Sequence, residues 1–156
     1  MTDNTQAVNE APLLKKAEAE AETAKGALEL VCSGKGLDSA SRYYSPEFVD
    51  HVNDLQFEGL AGARRSVEFY TKILSDIEIA VEEQLLDGDR VTSRFVVMGK
   101  CLGKRVRFNG ITISRFKDGL IVEDWSVTDT LGMLRQLGAW RSVILGARQW
   151  KTMKGR

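Results

Sequence analysis

The residues best suited to chemistry in this chain are few: one histidine, His51, two cysteines, Cys32 and Cys101, and a scatter of carboxylates and guanidinium groups. Two of them stand out by context. Asp129 ends the run Ile121, Glu123, Trp125, Val127, Asp129, whose spacing of two places all five on one face of a strand. Arg94 belongs to a second such run, Thr92, Arg94, Val96 and Met98, where its apolar neighbours make an unpaired cation costly. A carboxylate or an anionic ligand must answer it. Asp129 is the partner this pattern suggests, with Glu123 as the other inward option. Paired with Arg94, Asp129 stays ionised and can take a proton; unpaired and buried, its pKa rises and it can give one. His51 adds a second acid, a base or an orienting donor. Trp125, Met98, Tyr44 and Val96 would wall the pocket around them. Each residue also has a plain structural role to fill. Asp129 suits a helix N-cap at the strand's end, Arg94 a buried ion pair, His51 a loop beside Asp50 and Asn53, and the aromatic and aliphatic residues an ordinary core.

The elements that position these groups follow from periodicity. Leu14, Ala17, Ala21, Ala24, Leu28 and Val31 recur at three and four, one stripe of a helix that Pro12 can open and Gly34 or Gly36 can close. Residues 1–11 have no period and read as a disordered leader. Asp38 and Ser39 can cap a short helix through Tyr44, and an extended piece from Phe48 to Val52 carries His51. A further helix spans about Leu60 to Leu74. From Ile77 the period becomes two, and three short connections (Asp87-Gly88, Leu102-Gly103-Lys104 and Lys117-Asp118-Gly119) separate strands over about Ile77–Leu86, Arg90–Cys101, Arg105–Phe116 and Leu120–Asp129. Such connections leave no room for crossover helices. The chain therefore reads as α+β, a long curved antiparallel sheet covered by the N-terminal helices and enclosing a pocket. Residues 12–138 form one domain, with 12–36 as a helical extension and 139–156 as a basic helix or tail.

Composition narrows the classes. The 156 residues carry 22 Lys+Arg against 22 Asp+Glu, so no global basic excess points to nucleic acid. One histidine and two cysteines are too few for a multi-histidine metal centre or a disulfide framework. Neither a Gly-rich phosphate loop nor a nucleophile elbow is present. No cofactor, no metal and a cytoplasmic setting are the expectations. The charge is nevertheless uneven: all five basic residues after Gly138 (Arg141, Arg148, Lys151, Lys154, Arg156) are without an acidic neighbour, leaving residues 1–137 with 17 basic and 22 acidic groups. Trp140, Val143, Ile144, Ala147 and Trp150 are interleaved at near-helical spacing. Such a segment fits a membrane surface or a partner, or a terminal helix packed on the acidic body or on a second subunit; the packed helix is the favoured reading.

The stretches YYSPEFVDHV, GLAGARRSVEFYTKIL, DGDRVTSR and FNGITISRFKDGLIVEDWSVTDTLGMLRQLG, in this order, resemble the SnoaL-like polyketide cyclase family over about Leu37 to Gly138. That family belongs to the nuclear transport factor 2-like superfamily of conical α+β folds. The resemblance implies a cofactor-free enzyme that closes a ring by an intramolecular aldol reaction. It also implies an acid/base carboxylate at the end of the last strand, where WSVTD places Asp129. The family's DH histidine matches His51 and its strand arginine matches Arg94. Homodimerisation through the outer face of the sheet is a further implication. Limonene-type epoxide hydrolases share Arg94 and Asp129, and His51-Val52-Asn53 loosely echoes their Tyr-x-Asn pair. Val96, however, stands where their first aspartate would be. The tyrosine and protonated acid of ketosteroid isomerases have no evident place in the sequence.

Three functions compete. The first is cofactor-free acid/base catalysis, of cyclase or isomerase type, on a hydrophobic oxygenated small molecule. A non-catalytic ligand-binding module of the same fold is the alternative, and epoxide hydrolase-like chemistry is third. An assembly protein with a filled cone is a weaker class still, because fold alone does not choose among functions.

Overall fold

Long strands dominate the chain from Ser75 onward, and they are long because alternating apolar and polar residues run unbroken between tight turns. The structure is a computed structural model that describes the backbone of residues 4–154 and the side chains of residues 11–147. Strands β3 (Ser75–Asp87), β4 (Arg90–Cys101), β5 (Lys104–Lys117) and β6 (Leu120–Thr128) form an antiparallel meander. The two-residue turns at Leu102-Gly103 and Asp118-Gly119 have positive φ at both positions (48° and 77°, 53° and 78°), the twist that joins adjacent antiparallel strands without splaying them.

Ahead of the meander come α1 (Asn4–Gly26), which runs directly into a π-helical turn (Ala27–Cys32), and a 3₁₀ turn (Leu37–Arg42). Strands β1 (Tyr44–Val52) and β2 (Leu55–Glu58) and helix α2 (Gly59–Thr71) follow. The sheet order is β2-β1-β6-β5-β4-β3, with every pair antiparallel except β1–β6. That one parallel pairing is made by a strand that precedes the meander and returns along its last member. The sheet is the α+β layer expected, curved and unclosed, with α1 and α2 on its concave side. Helices α3 (Thr130–Leu137) and α4 (Ala139–Lys154) close the far end.

Details depart from the periodicity. Helix α1 takes in residues 4–11, where the sequence places a leader, and Pro12 lies inside it. The helix expected to run through Tyr44 is a 3₁₀ turn over Leu37–Arg42 with Tyr44 already in β1, and β2 has too short and polar a sequence to announce itself. No described helix is long and apolar enough to cross a membrane.

Two apolar clusters fill the concave side. One gathers Ala24, Ala27, Val31, Phe48, Val91, Phe116 and Ile121 under α1; the other gathers Leu28, Leu74, Phe95, Val97, Phe108, Met133, Leu137 and Leu145 under α2, α3 and α4. The helix layer is also clamped to the sheet by polar contacts. A bulge in β3 between Val81 and Glu83 leaves Glu82 as the extra residue, and beside it the Val81 N–H donates to Glu29 Oε1 of the π turn at 3.1 Å. Gln84 Nε2 donates to the Ala21 carbonyl at 2.9 Å and to Ser93 Oγ at 3.1 Å.

At the other end, Asp129 is the N-cap of α3. Its Oδ1 accepts from the Gly132 N–H at 2.7 Å, and a Cβ on Gly132 would lie 2.1 Å from Oδ2. Replacing Asp129 with Ala leaves that N–H without its partner and should cost about 1 kcal/mol of unfolding free energy in urea titration. Asp129→Ser should recover most of the loss. Gly132→Ala should be destabilising for the separate reason that it collides with the cap.

Candidate active site

The concave side of a strand is lined by every second residue, and here the inner row, apolar over much of its length, carries a polar patch at its middle. Ser93 of β4, Thr112 and Ser114 of β5, Asp124 and Ser126 of β6, and Asp50 and Val52 of β1 all point inward. Neighbours face one another in register: Ser93 opposite Thr112, Thr112 opposite Ser126, Ser114 opposite Asp124, and Asp124 opposite Asp50. Ser126 Oγ donates to Thr112 Oγ1 at 2.8 Å. Asp50, Asp124, Ser126 and Thr128 border a cavity of about 70 Å³, bounded also by Leu28 and Cys32 of the π turn, Ser66, Val67 and Tyr70 of α2, and Ile77, Ile79, Phe95 and Val97 of the sheet, while Ser93, Thr112 and Ser114 are buried behind it.

Two carboxyls lie side by side in this hollow, because β1 and β6 pair in parallel with Asp50 and Asp124 in register. They are 8% and 7% exposed. Removal from water raises both pKa values, since the charged form loses its hydration. Asp50 is pushed up to about 6 by burial, against a hydrogen bond from Ser66 and the field of His51. Asp124 is pushed up to about 8 by burial and by the charge of Asp50, against a hydrogen bond from Ser114. Asp124 Oδ1 is buried with no hydrogen-bond partner among the described residues. An unpartnered buried acceptor or donor is costly, and a ligand atom is one way to satisfy it.

Tyr44, at the start of β1, stands beside the pair with its phenol 3.5 Å from Cys32 Sγ. Burial raises the Tyr44 pKa well above its usual value, so it is a neutral O–H. Burial likewise pushes the Cys32 thiol up to about 12, which makes it a weak hydrogen-bonding group rather than a nucleophile. Tyr70, held up by burial as well, has a side-chain hydrogen bond with Thr128 at the end of β6. The site therefore holds a carboxylate that titrates near 6, a carboxylic acid that is neutral at pH 7, and a neutral phenol, all within an otherwise apolar wall. Among the described residues no three His, Cys, Asp or Glu side chains cluster so as to hold a metal ion.

The groups singled out from the sequence lie elsewhere, Tyr44 excepted. Thr92, Arg94, Val96 and Met98 do share a face, as do Glu123, Trp125 and Val127, but it is the outer one. Arg94 is exposed and ion-paired with Glu82 and with Glu83 (3.1 Å), which hold its guanidinium charged. His51 accompanies them outside. Its Nε2 lies 3.0 Å from Glu123 Oε1, its ring stacks on Trp125 at 5.5 Å, and Arg115 completes the group at 2.7 Å from Glu123 Oε2. Arg115 first, then His51, holds the Glu123 carboxyl below the usual range. Asp129 caps α3 at the surface and does not meet Arg94. Val96 is buried and Met98 half-buried, yet neither borders the cavity. Tyr44 does.

The inversion has a physical source. Alternation says which residues share a face and is silent on which face is inside. Hydrophobicity usually decides that, but both faces are mixed here: Val96, Met98, Ile111, Ile113, Trp125 and Val127 share the outside with Arg94, Arg107, Arg115 and Glu123, while Ser93, Thr112, Ser114, Asp124 and Ser126 share the inside with Phe95, Val97, Phe108 and Phe116. The missed signal was Asp124 next to Trp125, with Asp50 next to His51: acids one residue away from the positions chosen.

A family model for SnoaL-like polyketide cyclases matches residues 22–137. No curated protein matches the chain in sequence. Among solved structures, a loop-truncated variant of IdmH is 26% identical with a TM-score of 0.67, covering 76% of this chain and 99% of its own. A candidate polyketide cyclase from Bacillus cereus is 29% identical with a TM-score of 0.64, covering 76% and 78%. AclR, a candidate hydroxylase from Streptomyces galilaeus, is 26% identical with a TM-score of 0.61, covering 76% and 85%. The matched span takes in both inward carboxyls, Tyr44 and the whole six-stranded sheet, and on that ground the chain belongs to the SnoaL-like polyketide cyclase family.

Proposed function

We propose that the protein catalyses cofactor-free acid/base chemistry on an apolar, enolisable carbonyl compound bound between Asp50, Asp124 and Tyr44. The observation that carries this reading is the in-register pair of buried carboxyls whose pKa values separate to either side of neutrality. Such a split marks one group as base and the other as acid. Asp50, ionised at pH 7, takes a proton from the carbon next to the carbonyl. The C–H electron pair becomes the enolate double bond, and the carbonyl oxygen gains negative charge. Neutral Asp124 and Tyr44 donate hydrogen bonds to that oxygen, in a dry setting where such donors count most. The enolate carbon attacks a second carbonyl of the same molecule, whose π electron pair moves to its oxygen; Asp124 protonates that alkoxide and the proton held by Asp50 then passes to Asp124, restoring the pair. Where the substrate instead carries a β,γ double bond, Asp50 returns the proton to the γ carbon of the dienolate. The first outcome is ring closure and the second isomerisation.

The unliganded cavity is small beside an engineered apolar cavity of about 150 Å³ that holds benzene. It accommodates the reacting atoms of a substrate, and a larger ring system must displace wall side chains such as Leu28 and Tyr70. The exposed outer face, where Ile111, Trp125 and Val127 lie among ion pairs, takes a second copy of the chain in this reading.

Three outcomes are expected. With β-tetralone as a probe in deuterated buffer, the protein should accelerate exchange of the protons beside the carbonyl, followed by NMR. The rate should peak between pH 6 and 8, because Asp50 must be ionised and Asp124 neutral. Asp50→Asn should lower it by about 10²–10⁴-fold and Asp124→Ala by about 10²–10³-fold. Catalysis undiminished in Asp50→Asn would exclude this assignment and leave a binding module.

Stability should also report the pair. Both carboxyls hold protons more tightly folded than unfolded, where they titrate near about 4. Their contribution is complete below that value and falls as pH rises through about 6 and about 8. Urea midpoints should decline over this window, and Asp124→Asn should flatten the decline. Finally, light scattering should give a dimer mass that Val127→Lys converts to a monomer; a monomeric parent chain would refute the second copy.

A further inference from the structure

We infer that the free side of α4 is a docking surface for an anionic lipid bilayer. The inference does not depend on the chemistry of the cavity. Among its described side chains, up to residue 147, helix α4 is held to the body along one side. Leu145 is buried in the core cluster with Met133 and Leu137, and Ser142 Oγ donates to the carbonyls of Leu134 and Gly138 at 3.0 Å each. The opposite side is open. Trp140 is 77% exposed and Val143 65%, and Ala147, also exposed, continues their line at the i, i+3, i+7 spacing of one helix face.

Leaving a tryptophan and a valine in water is unfavourable, so something covers them. The charge around them says what. Arg141 is exposed beside Trp140, and the sequence from Gly138 onward adds Arg148, Lys151, Lys154 and Arg156 with no acidic residue. The backbone stays helical through Lys154. A narrow apolar line in a segment with five cations and no acid in its sequence, with an indole at its head, matches the boundary between headgroups and acyl chains of an anionic bilayer. Such a surface needs no shaped cleft on the other side, and α4 offers none. Residues 1–137 carry 17 basic against 22 acidic groups, so the body is repelled by the same surface and contact is confined to α4. The arrangement is that of a helix lying in the interface.

The test uses the full chain, because deleting α4 would also remove Leu145 from the core. In flotation assays the protein should rise with phosphatidylcholine vesicles containing phosphatidylglycerol, and stay behind with phosphatidylcholine alone. High salt should release it by screening the cations. Trp140→Ser should weaken partitioning about tenfold while leaving the urea midpoint unchanged, since its side chain makes no core contact. The variant Arg141→Gln/Arg148→Gln/Lys151→Gln should abolish it. Failure of the parent chain to float with anionic vesicles would overturn the inference. So would an oligomer that falls apart in Trp140→Ser without lipid, because the face would then be a contact between copies.

Discussion

The pairing of β1 with β6 is the constraint on which the rest of this protein turns. It is the one parallel ladder in the sheet, and its register sets Asp50 directly beside Asp124 on the inner face. Two carboxyls that close, in a hollow walled by Leu28, Ile77, Phe95 and Val97, cannot both be ionised at neutral pH without a large penalty. The fold resolves this through hydrogen bonds that differ between the two. Ser66, on α2, supports the charged form of Asp50, and Ser114, on β5, supports that of Asp124; burial is the largest influence raising both, and the neighbouring carboxylate adds to it at Asp124. The result is asymmetry between chemically identical groups. A one-residue slip of β1 would turn His51 inward and Asp50 outward, and the asymmetry would vanish.

Holding that register is a task for the helix layer. The π turn widens the helix where Leu28 and Cys32 border the cavity, and π turns are frequent at functional sites. Its Glu29 satisfies the N–H that the β3 bulge sets free, so the irregularity in the helix and the irregularity in the sheet answer each other. Tyr44 is wedged between the π turn and β1, with its ring 4.3 Å from Phe48 and its hydroxyl against Cys32. The outer face works under the opposite rule. Its charges are solvated and paired across strands, as in Arg115–Glu123–His51 and Glu82–Arg94–Glu83, and such exposed pairs add little stability. Their effect is to keep a face rich in Ile111, Trp125 and Val127 soluble and to frame it.

Much of the architecture was legible from residue order. The change of period at Ile77, the Asp-Gly and Leu-Gly turns and the long alternating runs define the meander to within a residue or two, because those signals are local. Asp129 as a cap was legible for the same reason: an Asp three residues before an N–H at a helix start satisfies it wherever the helix goes. The site was legible only in part. Tyr44, expected at a helix end, lies on the inner face of β1 and borders the cavity. Arg94, His51, Trp125 and Met98 do not, since a stripe of Val, Met, Ile and Trp looks like an interior while a stripe of Ser, Thr and Asp looks like a surface. Here the interior mixes a buried polar patch with its apolar core, and the exterior mixes apolar residues with ion pairs.

What the amino-acid order determines by itself is therefore the set of elements, their turns, the caps and the pairs of residues that share a strand face, all of which depend on neighbours a few positions away. What the tertiary structure decided is the sign of that face, because only curvature makes one side of a sheet the inside. It also decided the meeting of Asp50 with Asp124 across 74 positions of chain. Neither acid is unusual in its own stretch of sequence, and their raised pKa values arise only once the parallel ladder and the helix layer take them both out of water.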